Sequence, residues 1–291
     1  MESAVFDKGF FEKLNTLKMS LNMRLSQGMS GIRKSSAKGS SVEFSDFREY
    51  MLGDDIRRID WNAYGRTDKL YIKQFMEEKE GIFQIFIDTS RSMRFGAVPK
   101  STMALQMAGA LSYIILNNLD RVYINEMKEG SMIRGKGVTG TAAFSHVLKD
   151  LERITFDGKT ALNKTILSRP VQNGGVSFII SDFLDREGIE DAMRYLAYRK
   201  QTIVLVQILA KEEIDIDYEG TVNILDIETE ERLKVTMSNA SIQQYKQQLH
   251  AMQEHLQALA RKYGAAYIFM QSDESLIYAM LHGFSGVLQG R

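Results

Sequence analysis

Ile82-Phe-Gln-Ile-Phe-Ile-Asp88-Thr-Ser90-Arg-Ser92-Met93 joins a mainly apolar run of strand length to three oxygen-bearing side chains spaced two apart. A second run, Val176-Ser-Phe-Ile-Ile-Ser-Asp182, ends in the same way on an aspartate. Further runs of this kind lie at 122–127, 202–209 and 266–270, and helical patterns separate them at 100–117, 141–154, 186–199 and 241–263. Near-continuous apolar strands are buried on both faces, the habit of parallel sheets covered by helices. The alternation therefore predicts an α/β fold with a doubly wound, mostly parallel sheet. Ligands of such sheets bind beyond the carboxyl ends of the strands, where Asp88 and Asp182 both fall.

Two interruptions break the alternation. Met127-Lys-Glu-Gly-Ser-Met132 reads as a turn into a short edge strand, and 221–236 reads as an added β-hairpin. The last long helix carries Ile242, Tyr245, Leu249, Met252, Leu256, Leu259 and Tyr263 at alternating spacings of three and four. Three heptads are short for an exposed coiled-coil seam, so the stripe suits a core-facing helix better. Ser241 and Gln244 are expected to form its capping box and Gly264 its stop.

The 291 residues are 44% hydrophobic, enough for a full core, and 37 Lys and Arg balance 37 Asp and Glu. A net charge of zero gives no support for a whole-chain nucleic-acid binder, although Lys8, Lys13, Lys18, Arg24, Arg33, Lys34 and Lys38 make the first forty residues mildly basic. The absence of cysteine excludes disulfides, thiolate metal sites and a cysteine nucleophile. Residues 1–14 lack the apolar stretch of a secretory signal, and the run 202–210 is too short to span a bilayer. A soluble, cytoplasmic protein is expected. Residues 1–80 are expected to hold a helix (about 7–24), a Gly/Ser/Lys-rich loop (27–41) and an Arg/Asp-rich segment packed on the main domain, which occupies 81–291.

Asp88, Ser90, Ser92, Asp182 and Thr160, the last in Gly158-Lys159-Thr160, are spaced as the ligands of one divalent-metal site. All are hard oxygen donors, which suits Mg2+ or Mn2+ rather than zinc. One coordination position would remain for the Asp or Glu of a protein partner, which points to binding rather than catalysis. The competing reading is ordinary capping, because Asp, Ser and Thr are common at strand ends and helix starts. Asp185 is expected to cap the helix from 186, and Asp157 to form a turn. Gly158-Lys159-Thr160 is not a phosphate-binding loop, since Arg153 and Ile154 stand where the earlier glycine would be needed. The four histidines are scattered, and no general base pairs with a nucleophile in the sequence. The chain is therefore expected not to be an enzyme.

Upstream, the segment 45–66 packs Arg48, Asp54, Asp55, Arg57, Asp60 and Arg66 around aromatics and the single tryptophan, Trp61. A network of bidentate arginine–carboxylate pairs, fixing an irregular segment or meeting a partner, accounts for this density better than an acidic, nuclease-like site does. Two alternatives to a metal-dependent binder stay open. One is a metal-dependent hydrolase using Asp54, Asp55 and Asp60. The other is a metal-free scaffold whose serines only cap helices.

Glu43-Phe44, Arg48-Glu49-Tyr50, Gly53-Asp54-Asp55, Arg57, Ile59-Asp60-Trp61, Ala63 and Arg66 resemble the signature of the prokaryotic domain-of-unknown-function family 58, a relative of von Willebrand factor type A domains. The likeness continues through Leu70–Phe75 and Asp88–Met93. It implies a von Willebrand A-like, Rossmann-like fold with a metal-ion-dependent adhesion site whose pattern falls on Asp88, Ser90, Ser92, Thr160 and Asp182. It also implies a MoxR-type AAA+ ATPase as partner, since such proteins are commonly encoded beside one. Gly65 departs from the pattern, where many relatives have alanine before the arginine.

Overall fold

The computed structural model describes residues 5–17, 43–76, 80–185, 187–216, 220–225 and 232–284. A first helix, α1, runs over 8–17. Asp7 caps it by accepting the Phe10 N–H at 2.8 Å. The extension of this helix expected to residue 24, and the loop expected at 27–41, lie largely or wholly outside the described residues. β1 (Glu43–Glu49), α2 (Trp61–Thr67) and β2 (Tyr71–Met76) follow, with β1 and β2 paired antiparallel as a two-stranded sheet of their own.

The main domain contains β3 (Ile82–Asp88), α3 (Lys100–Asn117), β4 (Arg121–Lys128), β5 (Ser131–Arg134), α4 (Phe144–Glu152), α5 (Leu162–Leu167) and β6 (Val176–Ser181). It continues with α6 (Glu190–Tyr198), β7 (Thr202–Leu209), α7 (Lys211–Ile214), β8 (Gly220–Leu225), β9 (Arg232–Met237), α8 (Asn239–Lys262) and β10 (Ala266–Gln271). Six strands form one sheet in the order β10-β7-β6-β3-β4-β5. All neighbours are parallel except the edge strand β5, which runs antiparallel to β4. The sheet is thus doubly wound and von Willebrand A-like, as expected. From β3 the chain builds outward through β4 and β5, then returns to place β6 on the other side of β3. The order reverses between β3 and β6, and ligands of open α/β sheets bind at such a switch point.

Alternate residues of each strand serve opposite faces. Ile85 and Ile87 join a core with α1, α3, α4 and the helical segment at 276–283. Phe86 joins a second core with α5, α6 and α8. Phe10 of α1 is fully buried against α3, where any side chain at Gly109 would meet its ring. Gly175, at φ +105°, brings the start of β6 so close to the Ile82 carbonyl that a Cβ there would clash with backbone.

Several local expectations are corrected. The helix expected over 141–154 is a 3-10 turn, Thr141–Ala143, leading into α4. The helix expected from 186 begins at Glu190 with Ile189 as its cap residue. Asp185 does not cap it, because its carboxylate accepts the Leu162 N–H at the start of α5 (2.9 Å) and the Glu187 N–H (2.9 Å). The short helix α5 escaped the periodicity reading, since six residues are too few to show a period. The capping box of α8 is Ser238 with Ser241, three residues before the expected pair. The expected hairpin is β8–β9, a separate two-stranded sheet. In α8, Leu256 and Leu259 are buried and Tyr263 packs on the same core, while Ile242, Tyr245, Leu249 and Met252 are half-buried, so the stripe faces the core in its C-terminal half.

Candidate functional site

Asp88 is the last residue of β3, and Asp182 directly follows β6, the strand paired with it. Neighbouring parallel strands in register therefore bring together two carboxylates 94 residues apart. Both are fully buried, as is Ser90. Ser90 and Ser92 lie in the tight 3-10 turn after β3, and their hydroxyl oxygens are 3.0 Å apart. The Ser92 hydroxyl donates to Asp182 Oδ2 at 2.7 Å. Asp88 accepts the Ser90 N–H on Oδ1 (2.9 Å) and the Ser181 hydroxyl on Oδ2 (2.6 Å). Four of the five expected residues thus form one cluster of oxygens at the switch point.

Thr160 lies on a third loop, two residues after Gly158. Gly158 pairs with Ser90 as an isolated parallel bridge, donating to the Thr89 carbonyl (3.1 Å) and accepting from the Arg91 N–H (2.9 Å). This bridge fixes the Gly158-Lys159-Thr160 turn against the serine loop, with Thr160 half-buried. Asp157 turns away to an ion pair with Lys128 at 2.6 Å.

Lys100, the first residue of α3, was not anticipated from the sequence. It is fully buried, and its ammonium donates to Asp182 Oδ2 at 2.7 Å and to Glu213 Oε1 at 2.6 Å. Nothing in the sequence marks it, because a lysine before a helical pattern is usually a solvated residue. Burial by itself lowers the pKa of the Lys100 ammonium, but the Asp182 and Glu213 carboxylates outweigh that and hold it above the ordinary lysine value. Burial raises Glu213 even though Lys100 opposes the shift. Asp88 is pushed up to about 7, by burial first and by the charge of Asp182 second, against the hydrogen bonds from Ser181 and Ser90.

The donor set suits a hard divalent cation. Two carboxylates and two serine hydroxyls converge from the ends of two neighbouring strands, and all these donors are oxygen. Both Asp88 oxygens already hold protein donors, which suits an aspartate that acts on an ion through water. Among the described residues there is no group of three or more His, Cys, Asp and Glu that would hold a metal. A Mg2+ or Mn2+ site here would therefore depend on its hydroxyls.

The Arg/Asp-rich segment is built differently. Of the arginine–carboxylate pairs expected there, Arg48–Asp54 forms, through one Nη2···Oδ1 contact of 2.8 Å. Asp54 also accepts the Met51 N–H. Asp55 accepts the Arg57 N–H, and Asp60 accepts those of Asn62 and Ala63 at the start of α2. The carboxylates of Asp55 and Asp60 thus serve as caps, because short aspartates bond nearest backbone amides at turns and helix starts. Among the described residues Asp54, Asp55 and Asp60 form no group that would hold a metal. Arg57 and Arg66 are exposed, and so is Trp61 at 64%.

Comparison with known proteins sharpens this. The model of the family described as "Protein of unknown function DUF58" matches residues 46–255. The chain belongs to that family. The DUF58 match takes in both the Arg/Asp-rich segment and all five candidate ligands. An uncharacterized protein of Mycobacterium tuberculosis and one of Mycobacterium bovis are each 25% identical to this DUF58 chain over 223 residues, covering 74% of it and 70% of their own length. Among solved structures, the conserved hypothetical protein BatB from Bacteroides thetaiotaomicron aligns with a TM-score of 0.45 at 15% identity, over 72% of this chain and 100% of its own. The SpRpn10 VWA domain aligns with a TM-score of 0.40 at 12% identity, over 73% and 99%. Strand order and crossovers, rather than these likenesses, define the fold of this DUF58 member.

Proposed function

We propose that the protein is a non-enzymatic adaptor that binds a protein partner through a divalent cation, Mg2+ or Mn2+, at Asp88, Ser90, Ser92, Thr160 and Asp182. The observation that carries this reading is the convergence of Asp88, Ser90, Ser92 and Asp182 at the switch point of the sheet. Asp182 and the serine hydroxyls would hold the ion, Asp88 would act on it through water, and a partner's Asp or Glu would complete its shell. The ion supplies a charge bridge between two acidic surfaces that would otherwise repel. The resemblance to the family makes a MoxR-type AAA+ ATPase, or its client during maturation or complex assembly, the first partner to test. A cytoplasmic setting is part of the same reading. No helix among the described residues is long and apolar enough to cross a membrane.

Thermal melting of metal-stripped protein tests the site. Ion at ten times its dissociation constant adds about 1.4 kcal/mol, a shift of a few degrees at about this size. The shift is expected in wild type and absent in Asp88→Ala. Equal shifts in both proteins, or partner capture unaffected by chelator, would remove the bridging role.

A second contact face is favoured by one observation. Met51, Leu52, Ile56 and Trp61 are all more than 60% exposed within eleven residues of the signature segment, and Leu52 reaches 101%. Large apolar side chains gathered this densely on a surface mark protein contacts, with Trp and Arg the usual anchors.

A further inference from the structure

Asp88, Asp182 and Glu213 place three carboxylates in or beside one buried cluster, and the Lys100 ammonium is bonded to two of them. Buried carboxylates are unstable without a counter-charge. The lysine supplies it, on Asp182 Oδ2, the same oxygen that receives the Ser92 hydroxyl. A divalent ion held by Ser92 and Asp182 must meet that carboxylate with an ammonium already 2.7 Å from it. Two cations sharing one carboxylate oxygen repel strongly at such distances.

The other end of the lysine is tied to a different element. Glu213 accepts the Lys100 ammonium on Oε1 and the Ala210 N–H on Oε2 (2.8 Å), while its backbone carbonyl accepts the Tyr245 hydroxyl of α8 (2.8 Å). The neighbouring Glu212 accepts the Ala97 N–H, three residues before the lysine, at 3.0 Å. Lys246 of α8 holds Asp215 at 3.2 Å. The start of α3, the α7 turn and the first turns of α8 are thus joined through polar contacts that converge on Lys100 and Glu213. Gly96, at φ +107°, packs so tightly on Ala210 that a Cβ there would lie 2.8 Å from the alanine methyl.

We infer that Lys100 is a built-in counter-ion that competes with the divalent cation for Asp182, and that metal loading shifts the lysine toward Glu213 and so reports occupancy to α7 and α8. The inference rests on the metal reading above and deepens it by naming what the ion must displace. Lys100 is a positioning residue, acting on the ion through Asp182.

The test is Mn2+ titration calorimetry, with hydrogen exchange of 211–216 and 239–246 followed with and without Mn2+, on wild type, Lys100→Met and Glu213→Gln. Removing the ammonium should tighten Mn2+ binding about tenfold or more, the scale on which a charge at this range shifts an ionisation equilibrium. Glu213→Gln, which leaves the lysine to Asp182 alone, should weaken it and serves should Lys100→Met fail to fold. Mn2+ should change exchange at α7 in wild type and leave it unchanged in Lys100→Met. A simple field effect of the lysine would alter affinity without abolishing that exchange response. If wild type binds Mn2+ and the variants bind equally well with the same exchange response, the competition is overturned while the metal reading stands. If neither wild type nor Lys100→Met binds Mn2+, the metal reading itself falls, and this inference with it. Binding by Lys100→Met alone would uphold the competition and show that free wild type is closed to the ion.

Discussion

The candidate metal cluster and the signature segment around Trp61 are both rich in aspartate, yet they bury and partner it differently. In the cluster, Asp88 and Asp182 are buried and, besides one backbone N–H each, bond to other side chains. In the segment, Asp55 and Asp60 turn back onto backbone amides of their own turns, leaving Arg57, Arg66 and Trp61 outward. The cluster stores charge where water cannot screen it, so small changes there carry large energies. The segment neutralises its acids locally and exposes apolar and cationic groups, so changes there should leave the fold alone and alter contacts. Composition alone does not separate the two, since both read as Asp with Ser or Arg nearby.

The sharpest way to break this contrast is Asp182→Ala. It leaves the buried Lys100 ammonium with Glu213 alone and takes the acceptor from Ser92, and removing one partner of a buried pair costs roughly 3–5 kcal/mol. Urea unfolding should show that loss. A change below about 0.5 kcal/mol, the size expected of surface substitutions, would mean the cluster is not energetically buried.

The next effect is pH-dependent. Asp88 has a folded pKa raised to about 7 from 3.8, so the folded state holds its proton where the unfolded chain has lost it. The resulting stability is fully present below about 4 and is lost as pH rises through about 7. Metal-free protein melted between pH 5 and 8 should lose stability with rising pH, and Asp88→Asn should flatten that slope. An unchanged slope in Asp88→Asn would assign the dependence elsewhere.

The smallest effect on stability, with the largest expected on contacts, is in the segment. Leu52→Ala and Trp61→Ala should each shift stability by about 0.5 kcal/mol or less while weakening capture of a protein partner in pull-downs. A multi-kcal/mol loss from either would show that these side chains are packed, and would erase the difference between the two regions.

Much of the architecture could be read from the sequence, because buried parallel strands and the helices between them carry strong periodic signals. Asp88 and Asp182 could be placed at strand ends for the same reason, and the serines by their spacing from Asp88. Helix boundaries near loops were less legible. Asp185 has the chemistry of an N-cap, yet it caps α5 across the fold rather than the helix after it. In the Arg/Asp-rich segment Asp54 meets Arg48 while Asp55 and Asp60 meet backbone amides, a division that a sequence cannot show.

The sequence by itself determined the strands and their alternation with helices, because periodicity is a local property, and it marked Asp88, Ser90, Ser92, Thr160 and Asp182 as candidates to share an ion. Only the tertiary structure decided that β6 returns beside β3, that Asp185 serves α5, and that Lys100 is buried between Asp182 and Glu213. Those residues lie 82 and 113 positions from the lysine. The reason is physical: a buried charge is set by what the folded chain brings within hydrogen-bonding reach, and no local pattern encodes partners that distant.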